Sequence, residues 1–450
     1  MNALERLGSH VVGGRLSDGA RAAVTLHVVD TVAAWVAATR TPEGKALIRF
    51  RAGNRPRGPG GPESCALDVM THCALARLSE IDDIHLASMT TPGGVVVPAA
   101  LTIAATLSKT DAAAFAEAVV AGYEAMIRLG LALNGPAMLH RGIWPSYFAA
   151  PFGIAAVAAR LLRFDERQAA HALAHALTLA APGVGHHNAA TTSRWFSIGL
   201  AARNGLTAAL AAQAGFTSDL KIIDGVFFPG VYNVTADMAA LDGGLGERDM
   251  LAEVSFKPWC AARQTMAATQ AIREIMDAGV DAADVAAIEV ALLPPHQKMI
   301  DHGVWAGDRA SHLTSVRYQM AVAAVAPDDA FDVGQSPAAL SEAVRAFMRK
   351  IEVVADHTLL SDYPCVWPAR VRVRAGARED ERHVTHVPGD PGRPYDAAQV
   401  RAKFRRFVAP VTGDDGADTL YRASAAVLAD SPVSLLGEIE RIYAQAVAGA

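Results

Sequence analysis

Over residues 1–255 no stretch alternates apolar and polar residues with the period of two that a half-buried strand requires. That absence confines more than half of the chain to helices. Residues 20–40, 111–133, 149–162, 165–180 and 199–214 read as helices, the last two stopping at Pro182-Gly183 and Gly215, while 53–61 reads as a loop. Hydrophobic residues make up 51% of the chain but aromatics only 6%. Alanine and other small side chains therefore fill most of the core, which suits helices packed at close range.

The pattern changes after residue 256. Residues 285–294, 350–356, 369–373 and 381–386 read as strands, with helices at 311–324 and 338–348 between them. Pro388-Gly389-Asp390-Pro391-Gly392 reads as a linker, and from Tyr395 three helical segments follow. At 450 residues the chain exceeds what one ordinary core accommodates. The expected fold class is mainly α: a large all-helical domain over 1–255, completed by 396–450, and a smaller inserted α+β lid domain over 256–395.

A net charge of -5 gives no electrostatic reason to bind nucleic acid or an anionic membrane. Residues 86–108 carry no charge and are long enough to span a bilayer, but Pro92-Gly93-Gly94 and Pro98 interrupt them, so a loop and a buried helix are expected. The first residues lack a basic-then-apolar signal pattern, and the four cysteines form no C-x-x-C motif, so reduced thiols in the cytoplasm are expected. Val11-Val12-Gly13-Gly14-Arg15 lacks the third glycine of a dinucleotide fingerprint and reads as a turn. His171 and His175 have the i, i+4 spacing of zinc ligands, but no Glu follows the first and no third ligand is evident, so they read as core or groove histidines. Neither a metal nor another cofactor is expected.

Chemistry concentrates in four polar loops, each ending a small-residue helix. The first holds Glu80, Asp82, Asp83 and His85. On a helix end Asp82 and Asp83 point in different directions, so at most one shares a face with His85. These carboxylates either cap and solvate a helix end or form the wall of a cleft that handles protons. The second loop runs Leu139-His140-Arg141-Gly142-Ile143-Trp144-Pro145-Ser146-Tyr147, and the third runs from Gly183 through His186, His187 and Asn188 to Arg194-Trp195. The fourth is Phe256-Lys257-Pro258-Trp259-Cys260-Ala261-Ala262-Arg263-Gln264.

In this order the motifs resemble the MmgE/PrpD family, which includes 2-methylcitrate dehydratase, cis-aconitate decarboxylase and iminodisuccinate epimerase. Val29-Asp30-Thr31 is similar to part of that family's N-terminal helix. The acidic loop followed by Thr91-Pro92-Gly93 and the apolar helix behind it is similar to its first motif. Arg141-Gly142-Ile143-Trp144-Pro145-Ser146 with the helix from Pro151 resembles the second. Gly199 to Gly205, with Ala214-Gly215-Phe216-Thr217, resembles the third, and Phe256 to Gln264 the fourth. The resemblance covers nearly the whole chain. It implies a large helical domain, a smaller α+β lid, a homodimer, and a metal-free site between the domains.

Departures from the family pattern fall on its proton-shuttling groups. Relatives that dehydrate or decarboxylate usually carry His where this chain has Thr91, Trp144 and Met266, and Lys where it has Arg194. The catalytic candidates are Asp83, His85, His140, Lys257 and Cys260, with Tyr318 as a further proton-transfer group. Candidates for holding substrate are Asp82, Thr91, Arg141, Trp144, Tyr147, His186, Arg194, Arg263 and Gln264. Guanidinium forks match carboxylates and stabilise the charge that develops when a proton leaves the adjacent carbon. The expected activity is therefore cofactor-independent proton abstraction next to a carboxylate in a small (poly)carboxylic acid, followed by elimination. An isomerase or epimerase and a catalytically silent ligand-binding relative are the alternatives.

Overall fold

The computed structural model describes residues 1–56, 61–107, 110–180, 191–334 and 340–448. It divides into two compact units, one of residues 1–187, 192–254 and 396–450, the other of residues 188–191 and 255–395. The chain is mainly helical, and its described residues contain one four-stranded sheet.

The first unit runs α1 (Ala3–Gly13), α2 (Asp18–Ala38), α3 (Pro42–Asn54), α4 (Pro62–Leu78), α5 (Gly93–Ala104), α6 (Ala112–Ala132), α7 (Gly135–His140), α8 (Pro145–Leu161), α9 (Glu166–Thr178), α10 (Ser193–Gln213), and the short α11 (Phe227–Tyr232) and α12 (Met238–Asp242). Starts are written in the sequence. Ser17, Thr41, Asp111 and Asp165 accept hydrogen bonds from the first turns of α2, α3, α6 and α9, and Pro42, Pro62 and Pro145 stand in the first turns of α3, α4 and α8. α8 packs on α6 and α10, and α10 on α4. α4 is buried on almost every side, so it shows no one-sided apolar stripe for periodicity to detect.

In the second unit come α13 (Arg263–Asp277), β1 (Val285–Leu292), α14 (Pro294–Ile300), α15 (Arg309–Thr314), α16 (Val316–Val325), α17 (Glu342–Met348), β2 (Ile351–Ala355), β3 (Ala369–Ala375) and β4 (Arg378–Val384). The sheet order is β2-β1-β3-β4, with β1 parallel to β2 and antiparallel to β3, and β3 antiparallel to β4. β3 and β4 form a hairpin around Gly376, whose φ of 58 suits glycine, and this turn starts β4 three residues before the expected 381. The helix expected at 311–324 is broken at Ser315, which turns extended and accepts from Tyr318 N.

The expected linker at 388–392 is instead a fixed turn. Asp390 is buried and ion-paired with Arg263 at 2.5 Å, and Gly389 O accepts from Phe256 N at 2.9 Å. The chain then returns to the first unit as α18 (Ala397–Ala425), interrupted at Gly413, and α19 (Pro432–Ala448). α18 lies along α2, and Tyr443 of α19 accepts a hydrogen bond from the indole of Trp35 on α2.

Of the helices, Asp18–Ala38 alone among the described residues is long and apolar enough to cross a membrane, and most of it is buried inside the unit. The uncharged run at 86–108 is a loop followed by the twelve-residue α5.

Candidate active site

Residues 79–92 join α4 to α5 and are almost wholly buried. The reading of solvated helix-end carboxylates is therefore set aside. Two of the acids share one partner and the third has its own. Arg77, in the last turn of α4, is ion-paired with Asp82 and, at 3.0 Å, with Glu80. Asp83 accepts three hydrogen bonds: from Gly93 N at 2.7 Å, from the Tyr123 hydroxyl at 2.7 Å, and from the imidazole of His27 at 2.8 Å.

The Pro-Gly-Gly that follows the acids has a steric reason. A Cβ on Gly93 would lie 2.6 Å from both Asp83 Oδ2 and the Tyr123 hydroxyl, and one on Gly94 would lie 2.8 Å from Asp82 Oδ2. Glycine thus lets the positive end of α5 close directly on two carboxylates. The loop also holds two non-glycine residues in the left-handed region, Glu80 (φ 58) and Met89 (φ 56), strain that the surrounding contacts have to offset.

His85 points elsewhere. Its backbone bridges to Thr90, with His85 N donating to Thr90 O at 2.8 Å. One ring nitrogen meets Ser88 Oγ at 2.9 Å and the other Glu253 at 3.3 Å, while Arg248 grips the same Glu253 at 2.7 Å. The hydrogen bond from His85 and the charge of Arg248 hold the Glu253 carboxyl below its usual pKa, against partial burial.

The far end of the loop reaches α8. Thr91 donates its N–H to Ser146 Oγ at 3.0 Å, and the two hydroxyls lie 2.9 Å apart. On either side of Ser146 stand Trp144 and Tyr147, whose rings meet edge-on with centroids 5.6 Å apart. Arg194, in the first turn of α10, brings its guanidinium carbon to 4.4 Å from the Trp144 ring and 4.7 Å from that of Trp195. Here three buried donors lack an acceptor among the described residues: Trp144 Nε1, the Tyr147 hydroxyl and Arg194 Nε, with the Arg194 guanidinium beside the Tyr147 oxygen. Burial raises the Tyr147 pKa above the ordinary phenol value, and the charges of Arg194 and Arg77 work against that rise. Buried donors without acceptors are costly unless something supplies the acceptor. Two aromatic edges and a stacked guanidinium fit a carboxylate.

The remaining expected residues divide plainly. His140 and Arg141 are exposed at the end of α7, and Arg141 donates from Nη1 to the carbonyls of Tyr232, at 3.4 Å, and Asn233 at the end of α11. His186 lies outside the described residues. Lys257 and Cys260 are buried in the second unit, and Gln264 is half-buried in the first turn of α13. Arg263 is fully buried, its fork on Asp390 and its guanidinium carbon 5.8 Å from Trp367, a structural tie within that unit. Cys260 lines a small cavity with Tyr318, His312, Gln319 and Arg309. Burial, then the negative groups Asp329, Cys260 and Asp332, push the Tyr318 pKa well up, while burial lowers that of His312 to about 4. Met266 belongs to the apolar core of the second unit.

The histidine pair on α9 binds backbone: His171 accepts from Ser218 N at 3.2 Å and His175 meets Phe216 O at 3.2 Å. Among the described residues no three His, Cys, Asp or Glu side chains cluster as metal ligands do. His27, Arg77, Tyr123, Ser146 and Glu253 were not singled out by the sequence. All but Arg77, which meets Glu80 and Asp82 three and five residues on, lie far along the chain from their partners, where no local motif marks them.

Family comparison covers nearly the whole chain. The MmgE/PrpD N-terminal domain matches residues 5–242 and the MmgE/PrpD C-terminal domain residues 259–426. The chain belongs to the MmgE/PrpD family. No curated protein matches it. Membership of MmgE/PrpD points to an enzyme of the dehydratase type that acts on small carboxylic acids.

Proposed function

We propose that the protein is a cofactor-independent lyase, a dehydratase or decarboxylase, that abstracts a proton next to a carboxylate of a small (poly)carboxylic acid and then expels a leaving group. The observation that carries this is the set of buried donors on Trp144, Tyr147 and Arg194 that have no acceptor among the described residues. A substrate carboxylate placed among them gains charge-assisted hydrogen bonds and returns the acceptors that these donors lack. The same donors hold the negative charge that builds on the substrate as the carbon-bound proton leaves. On this reading Thr91 and Ser146 set the position of Trp144 and Tyr147.

Asp83 is not the base in this proposal, because three donors already occupy its carboxylate. Lys257, Cys260 and Tyr318 remain the proton-transfer candidates, with the second unit acting as the lid. The protein is proposed to work as a cytoplasmic homodimer. A second reading, an isomerase or epimerase, is favoured by one feature: Trp144 and Arg194 stand where the resemblance leads one to expect His and Lys, groups suited to protonating a leaving group.

The test is NMR in deuterated water over a panel of small mono-, di- and tricarboxylic acids. Loss of a carbon-bound proton signal together with a new unsaturated or decarboxylated product is the expected result, abolished by Arg194→Met. Exchange without a new product assigns the isomerase. No exchange and no binding for any acid, with Arg194→Met indistinguishable from the natural chain, overturns both.

A further inference from the structure

Lys403 lies on α18, more than three hundred residues from the acidic loop in sequence, yet its ammonium reaches that loop. It is buried, it is ion-paired with Asp30 of α2, and it donates at 2.7 Å to the carbonyl oxygen of Ile81. Asp30 is itself fully buried, and burial raises its pKa while Lys403 opposes that rise.

Ile81 stands between Glu80, which is left-handed, and the two engaged carboxylates Asp82 and Asp83. A carbonyl turned away from regular structure in a buried loop needs a donor, and an ammonium with three donors and no acceptor supplies one. The loop is therefore fastened at one end by Lys403 on Ile81 and at the other by Asp83 on Gly93. Between them the backbone pair His85–Thr90 closes it. The next residue, Thr91, is bound to Ser146, one position from Tyr147.

We propose that Lys403 is a positioning residue: through Ile81 it fixes the acidic loop, and through Thr91 and Ser146 it sets the donors of Trp144 and Tyr147. This rests on the carboxylate-binding reading above for its consequence, though not for its geometry. The C-terminal segment of the chain would then govern a site to which it contributes no contacting group.

The experiment uses the full-length protein with Lys403→Met and, because a single change leaves Asp30 as a buried unpaired charge, the double variant Lys403→Met with Asp30→Asn. Amide hydrogen exchange is followed at His85 and Gly93, whose N–H groups bond to Thr90 and Asp83, and at the interior of α13 as a reference. In the folded double variant, exchange at His85 and Gly93 is expected to rise roughly tenfold or more over the natural chain, with α13 unchanged. Affinity for the acid identified by NMR is expected to fall roughly tenfold, and Lys403→Arg, which keeps a donor for Ile81, recovers part of both. Unchanged exchange at His85 and Gly93 in a folded variant overturns the proposal, as does a uniform rise in every amide, the mark of a plain stabilising ion pair. The exchange readout needs no substrate. If no acid binds, the enzyme reading fails while Lys403 is still judged on exchange; if acid binding is intact and exchange unchanged, only the Lys403 proposal falls.

Discussion

Asp83 accepts the backbone N–H of Gly93 at 2.7 Å, so a carboxylate at one end of a buried loop caps the helix at the other. Ten residues of chain are closed by that bond, and the glycine is required because Asp83 and the Tyr123 hydroxyl occupy the space of a Cβ. The acidic cluster is thus neither a solvated helix end nor an open wall of carboxylates. Its acids are internal acceptors for Arg77, for His27 and Tyr123, and for the start of α5.

Replacing Asp83 by Asn is expected to destabilise the protein by about 3 kcal/mol, because the amide presents donors to at least one of three existing donors. Urea denaturation followed by circular dichroism measures it. A loss below about 0.5 kcal/mol, the scale of an exposed helix-end charge, would contradict the buried network.

Tyr147→Phe should behave in the opposite way. The Tyr147 hydroxyl is buried with no acceptor among the described residues and only Arg194 beside its oxygen, so removing it is expected to change stability by less than about 1 kcal/mol. Affinity for the substrate acid should nevertheless fall about tenfold, the worth of one hydrogen bond to a charged group. Thermal unfolding and a binding titration read the two effects separately. Lower stability with unchanged affinity would mean that the hydroxyl serves the fold.

What could be read in advance follows from range along the chain. Helix starts were legible at Ser17, Asp111 and Asp165 because a cap and its N–H lie three residues apart. The strand pattern of Val285–Leu292 was legible because one face of the sheet is buried and alternation shows it. Arg263 was assigned to substrate because nothing near it in sequence reveals Asp390, which lies in what reads as a linker. Nothing near Arg141 in sequence reveals Asn233, whose carbonyl accepts from its Nη1. Trp144, Tyr147 and Arg194 were named as substrate groups from motif order, yet their shared lack of acceptors is visible only in three dimensions. Lys403 and Asp30 meet across 373 residues, and neither stands in a motif that marks such a pair.

Burial of His312 predicts a pH dependence. Its imidazole is held neutral, with a pKa lowered from 6.5 to about 4. The unfolded chain therefore takes up a proton first as the pH falls. Stability is present in full above pH 6.5 and is lost between 6.5 and about 4, by at most about 3 kcal/mol. His72, buried and also lowered, adds to the same slope. Urea midpoints measured from pH 7.5 to 4 should fall, and His312→Gln should flatten part of that fall. An identical slope in the variant would show that His312 titrates as it does in the unfolded chain.

Arg194→Lys tests whether the site needs a fork or only a positive charge. Lysine keeps the charge while losing the flat group that lies 4.4 Å from Trp144 and 4.7 Å from Trp195. An ammonium is a compact point charge with a larger hydration shell, so it pairs less well with two indoles and cannot present two parallel N–H groups to a carboxylate. Stability is expected to fall by about 1 kcal/mol from the lost stacking. Binding of the acid should weaken by about tenfold to a hundredfold, since a charge-assisted pair loses its second bond. If instead the lysine variant matched or exceeded the natural protein in turnover, arginine would not be selecting the bound carboxylate, and proton transfer by a lysine would regain its place in the mechanism. Isothermal titration and product NMR on the same two proteins separate these outcomes.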